Sequence, residues 1–202
     1  MIPQTAQERE DFCAWMAALL SPPDGETLAR LPAEVFPSPA GAAGGDFEAF
    51  CRELEKEYDR LFGRPGGGPV SLVESTYKPW TGDEECRLSF AREKGLFMGD
   101  SALHMAALFR HSGVEVPGEF RACPDHLSLE LEFLSALYGG ATDREVRQFI
   151  RGHLDWVPEL KENLLRLQPH PFYRRAVEGL DIFLDRERER LEITDDGKKS
   201  VH

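Results

Sequence analysis

The densest run of chemically capable side chains in this chain is Cys123-Pro124-Asp125-His126. A thiol and an imidazole at this spacing could act as nucleophile and base, or as two ligands of a metal that finds others elsewhere. Read as local structure, Asp125 is instead an N-cap behind a helix-stopping proline, with His126 filling the first turn. A third reading makes the pair a recognition corner, in which Asp125 keeps carboxylate oxygens for a cationic ligand and His126 adds a second polar contact. Spacing alone does not choose among them. His104 and His111 lie seven apart on one predicted helix and could suggest paired ligands, but the helix dipole already explains a histidine near a C-terminus. The four cysteines, Cys13, Cys51, Cys86 and Cys123, form no CxxC pair and read as reduced, partly buried thiols. The glycine run from Gly63 to Pro69 lacks the Gly-Lys-Ser/Thr ending and the preceding strand of a phosphate-binding loop. GxSxG, HExxH and GxGxxG signatures are also absent.

Helices must position these residues. Thr5 and Glu8 make a capping box ahead of Phe12, Trp15, Met16, Leu19 and Leu20, and Ser21-Pro22-Pro23 stops the segment. Leu31 to Gly45 reads as a loop, with a short turn near Glu26. From Asp46, the positions Phe47, Phe50, Leu54, Tyr58, Leu61 and Phe62 share one helical side. Val70 to Trp80 is extended or turn-like and brings Tyr77 and Trp80 together, as core plugs or as a binding surface. The pattern predicts a helix capped by Asp83 through Glu93, and a second capped by Asp100 through His111 with Gly113 behind it. A helix opening at Pro124-Asp125-His126 is apolar on two faces and should be central. Gly139-Gly140 ends it, and Thr142 with Glu145 caps the next. Two more amphipathic helices span Trp156 to Leu167 and Phe172 to Leu191.

Composition agrees with an all-α fold: 24 Leu and 18 Ala stand against 9 Val and 4 Ile among 202 residues. The pattern divides the chain into an N-terminal part (1–113), a linker or hinge (114–123), a C-terminal part (124–192) and a disordered tail (193–202). Thirty-six acidic and 24 basic residues leave a net charge of -12, which repels nucleic acid and suits a cationic partner. No apolar run approaches the roughly 20 residues of a membrane span. Acidic residues at the N-terminus, in place of a basic stretch and apolar core, point to the cytoplasm.

Several stretches together resemble the TorD/DmsD family of redox-enzyme maturation chaperones, relatives of the NarJ group. They are Glu57-Tyr58-Asp59-Arg60-Leu61-Phe62, Glu74-Ser75-Thr76-Tyr77, Met98-Gly99-Asp100-Ser101, Pro124-Asp125-His126-Leu127 with Glu130 to Leu134, and Phe149 to Trp156. The ordered set runs from Ala49 to Phe183. The resemblance implies a cytoplasmic, non-enzymatic chaperone without a cofactor or metal of its own. Its partner would be the twin-arginine signal peptide, or the folding body, of a molybdenum- or tungsten-cofactor apo-oxidoreductase. The family's client-binding positions map onto Tyr77, Gly99, Pro124, Asp125 and His126. Relatives often carry an acidic residue where Ala122 stands, which alters the charge at the rim of the groove. The resemblance and the hinge also imply a monomer able to form a domain-swapped homodimer. Two alternatives stand beside this reading. One is a small metal-dependent or acid/base enzyme using Cys123, Asp125 and His126; the other is a delta-type assembly factor that recognises a mature catalytic subunit.

Overall fold

The computed structural model describes residues 3–30, 46–63 and 67–192. The expected loop from Leu31 to Gly45, part of the glycine run and the tail from 193 lie outside them. The described chain is all-helical, as expected. It comprises α1 (Ala6–Leu19), α2 (Gly25–Ala29), α3 (Phe47–Leu61), α4 (Asp100–His111), α5 (Leu127–Gly140), α6 (Asp143–His153), α7 (Val157–Arg166) and α8 (Pro171–Arg190), with 3-10 turns at Glu74–Thr76 and Gly118–Phe120. An isolated antiparallel bridge joins Val73 to His126. None of the described helices is long and apolar enough to cross a membrane.

Local chemistry sets most helix starts. Glu8 N–H donates to Thr5 Oγ1 at 3.1 Å while the Glu8 carboxylate accepts from Thr5 N–H at 3.0 Å, and Thr142 and Glu145 repeat the arrangement. Asp46 caps α3 through Ala49 N–H. Packing then decides the arrangement. Helix α5 buries Leu127, Leu129, Leu131, Leu134 and Tyr138, and lies chiefly against α1. Each fully buried Leu contributes about 1.5–3 kcal/mol. One hydrophobic cluster takes residues from both sides of 114–123. At its edge the buried Glu187 of α8 accepts from Arg9, Tyr138 and Arg190 at 2.8 Å each, which ties α1, α5 and α8 together.

Two expectations about helices are corrected. Asp83 to Glu93 is a chain of turns, because non-local hydrogen bonds close its ends: Trp80 N–H donates to Glu93 O and Thr81 N–H to Ala91 O, both at 3.0 Å. Asp100 is the first residue of α4 rather than its cap; Gly99 stands at the cap, and the Asp100 carboxylate turns back to Thr81 Oγ1 and Gly82 N–H at 2.8 Å. Gly139 and Gly140 form the last turn of α5, which ends there as expected.

Candidate functional site

The Pro124-Asp125-His126 corner is buried and braces a second strip of chain. Leu127 N–H donates to Leu72 O at 2.8 Å, and Glu74 N–H to Asp125 O at 3.0 Å. Asp125 does not cap α5. Its Oδ2 accepts from Ser75 N–H at 2.7 Å, and burial raises its pKa. His126 is the cap: its Nδ1 accepts from Ser128 N–H at 3.3 Å and lies 2.7 Å from Ser128 Oγ. Two residues that can both cap stood side by side, and the bridge to 72–75 took one of them.

Burial leaves little room for acid/base or nucleophilic work here. It pushes the Cys123 thiol up to about 11, with Asp125 adding to the rise, and drives His126 down to about 4. A thiol and an imidazole so shifted are both neutral near pH 7, the reverse of an activated Cys–His pair. All four cysteines are free thiols, two buried and two partly so.

From the braced strip the chain runs into a region of opposite character. Tyr77 is 7% exposed, stacks on Trp156 with ring centroids 4.7 Å apart, and donates its hydroxyl to Ser71 O at 2.8 Å. Trp80 is half-buried and meets Phe90 edge to face at 5.1 Å. Gly99 lies against Trp80 so closely that a Cβ would sit 2.6 Å from the Trp80 carbonyl oxygen; Asp100 N–H donates to that same oxygen at 2.9 Å. The segment between Trp80 and Gly99 is thereby pinched into a loop. On it and the adjoining turn of α4, Leu88, Phe90, Phe97, Met98 and Leu103 are each between 36% and 56% exposed. Met98 has a φ of 57°, uncommon for a side chain of its size. Exposed acids, Asp83, Glu84, Glu85 and Glu93, lie on the same segment, together with the exposed cations Arg87, Arg92 and Lys94.

Beneath the corner lies a buried polar network. Glu74 accepts from Lys78 Nζ and, at 2.8 Å, from His153 Nδ1; Lys78 also bonds Asp155 at 2.6 Å. His104 Nδ1 lies 2.7 Å from His153 Nε2, so the partner of His104 is on α6 and not at His111. Burial alone would raise Glu74, but His153, the neighbouring Glu130 carboxyl and Lys78 together hold it below the usual value. Glu130 is fully buried; burial and the Glu74 charge push it well up. Glu74, Glu130 and His153 form the one group of described residues with ligand atoms close enough together to hold a metal ion.

Thus the structure brings Pro124, Asp125 and His126 together, sets Gly99 under Trp80, and places Tyr77 in the core. Sequence reasoning gave no role to Glu130 or His153, and weighed His104 only as a partner of His111. The only signal for Glu130 was a charged residue within the apolar run Leu127 to Leu134, since its neighbours come from distant parts of the chain.

The nitrate reductase delta subunit family matches residues 43–162. The chain belongs to that family. This is the NarJ/TorD-type chaperone grouping that the ordered motifs resemble. A crystal structure described as a redox enzyme maturation protein from Archaeoglobus fulgidus shares the fold, with a TM-score of 0.56, 23% identity, and coverage of 88% of this chain and 93% of that one. No curated protein matches. The matched region of the delta-subunit family contains α3 to α6, the braced corner and the exposed loop, and it ends within α7.

Proposed function

We propose that this member of the delta-subunit family is a cytoplasmic, non-catalytic chaperone. It binds the twin-arginine signal peptide of a molybdenum- or tungsten-cofactor oxidoreductase and holds it back from export until maturation is complete. The observation that carries this reading is the concentration of exposed apolar side chains around Trp80 and Gly99, bordered by acids. A twin-arginine leader offers the complementary surface: an apolar stretch for Phe90, Phe97 and Leu103, and two guanidinium forks for carboxylates such as Glu84 and Glu85. Large exposed apolar patches in otherwise acidic proteins mark interaction sites. Gly99 contributes the floor. Tyr77, Pro124, Asp125 and His126 position that floor from below.

Calorimetric titration with a twin-arginine leader peptide, its Lys-Lys counterpart and the mature client body tests the proposal. The Arg-Arg peptide should bind more tightly than the Lys-Lys peptide, and Phe90→Ser and Leu103→Ser should each weaken it severalfold. Equal affinities for parent and both variants would remove the loop as the site. Binding of the mature body alone would transfer the reading to an assembly factor that ignores export signals.

A further inference from the structure

Away from the exposed loop, three buried groups from separate elements converge. Glu74 comes from the 3-10 turn, Glu130 from α5 and His153 from the end of α6, and one ligand atom of each lies within 4.8 Å of the others. Neither oxygen of the fully buried Glu130 has a hydrogen-bond partner among the described residues. One of them lies within 4.8 Å of an oxygen of a second carboxylate, Glu74. Burial and the Glu74 charge favour the protonated form of the Glu130 carboxyl, and a buried polar group still costs stability where no partner compensates it. Protein cations fall short of that need. The Lys78 ammonium is engaged by Glu74, Asp155 and the Gly152 carbonyl, and a further buried carboxylate, Asp125, has an unpartnered Oδ1 of its own.

We propose that Glu74, Glu130 and His153 are the protein ligands of a divalent transition-metal ion of the zinc class. Two carboxylate oxygens and one imidazole nitrogen make a donor set that zinc accepts in a site with room for a further ligand. The second ring nitrogen of His153 faces His104 at 2.7 Å, the outer-shell hydrogen bond that fixes the orientation of a metal-bound imidazole. On binding, the ion takes the place of the proton between His153 Nδ1 and Glu74 Oε2. Any proton on the ligands leaves to solvent, and the ligand atoms draw in to metal distances of about 2.0–2.2 Å. His104, on an exposed position of α4, and Lys78 mark the way in from solvent. An ion so held joins the braced strip to α5 and α6, and therefore stabilises the fold by mass action. This reading is independent of which client is bound.

The test uses the full chain, stripped with a chelator and then titrated with Zn2+ and, separately, Co2+. One ion should bind per chain by elemental analysis, Tm should rise with it, and the cobalt spectrum should show d–d bands without a thiolate charge-transfer band. Glu130→Gln preserves shape and should keep the chelated protein folded by circular dichroism while abolishing metal uptake. His104→Ala should weaken uptake by roughly tenfold while leaving one ion per chain at saturation. The proposal is overturned if the stripped parent takes up no zinc, if Glu130→Gln binds like the parent, or if a thiolate band places the ion on cysteine.

Discussion

Two adjoining stretches of this chain invert the usual partition of residue types. Between Leu72 and Lys78, and across the Asp125 to Glu130 strip that braces them, charged and hydroxyl side chains are buried: Glu74, Ser75, Asp125, His126, Ser128 and Glu130. A few residues further on, between Trp80 and Leu103, large apolar side chains face solvent. Polar groups placed inside need partners, and those the fold supplies make the first stretch specific about its neighbours. Apolar groups placed outside keep much of their surface uncovered, which leaves the second stretch free to take a partner from elsewhere. Gly99 against the Trp80 carbonyl is the joint between them.

The contrast can be broken first from the buried side. Leu127→Ala, at the fully buried start of α5, should destabilise the protein by about 2–5 kcal/mol in urea unfolding, since the cavity cannot collapse between the strip and the core. A smaller effect is expected from pH. His126 titrates near 4 in the folded chain against an ordinary value of 6.5, so the unfolded state binds the extra proton between these values. Its contribution is full above pH 6.5 and is lost as pH falls to 4. That contribution is about 3 kcal/mol. His126→Asn, which keeps an oxygen for the cap, should flatten the dependence of unfolding free energy on pH across this window; an unchanged slope would show that other groups dominate it.

Gly99→Ala sharpens the joint. The new Cβ meets a backbone oxygen rather than a flexible side chain, so Trp80 or α4 must shift, at roughly 1–3 kcal/mol and with a changed Trp80 emission. Thermal melts and fluorescence together check this. The smallest change in stability belongs to the exposed side. Leu103→Ser should alter unfolding by about 0.5 kcal/mol or less, yet weaken leader-peptide binding by about 1 kcal/mol, some fivefold. Equal losses in both measurements would mean that the exposed face serves packing rather than recognition.

How much of this was legible in the sequence depended on range. The capping boxes at Thr5 and Thr142 act within four residues, and the helices they start were readable from the local pattern. The ending of α4 before Gly113, with its φ of 68°, was equally local. Asp83 to Glu93 failed as a helix because its ends are tied by backbone bonds to Trp80 and Thr81, which no window of apolar spacing reports. At the corner the local pattern marked a helix start but put the cap on the wrong residue: Asp125 reaches 50 residues back to Ser75, and His126 does the capping. His153 finds Glu74 across 79 residues and His104 across 49, so neither contact leaves a trace in spacing.

The clamp at Glu187 also sets a timetable. Arg9 belongs to the first helix described, and its partner lies 178 residues later, on the last one. During synthesis α1 therefore waits, its apolar face without its full cover, until α5 supplies the main surface and α8 supplies the carboxylate that ties α1, α5 and α8 together. Contacts spanning nearly the whole chain are the slow ones to form. A chain released early, before residue 187, would lack the contact that ties α1 to α8.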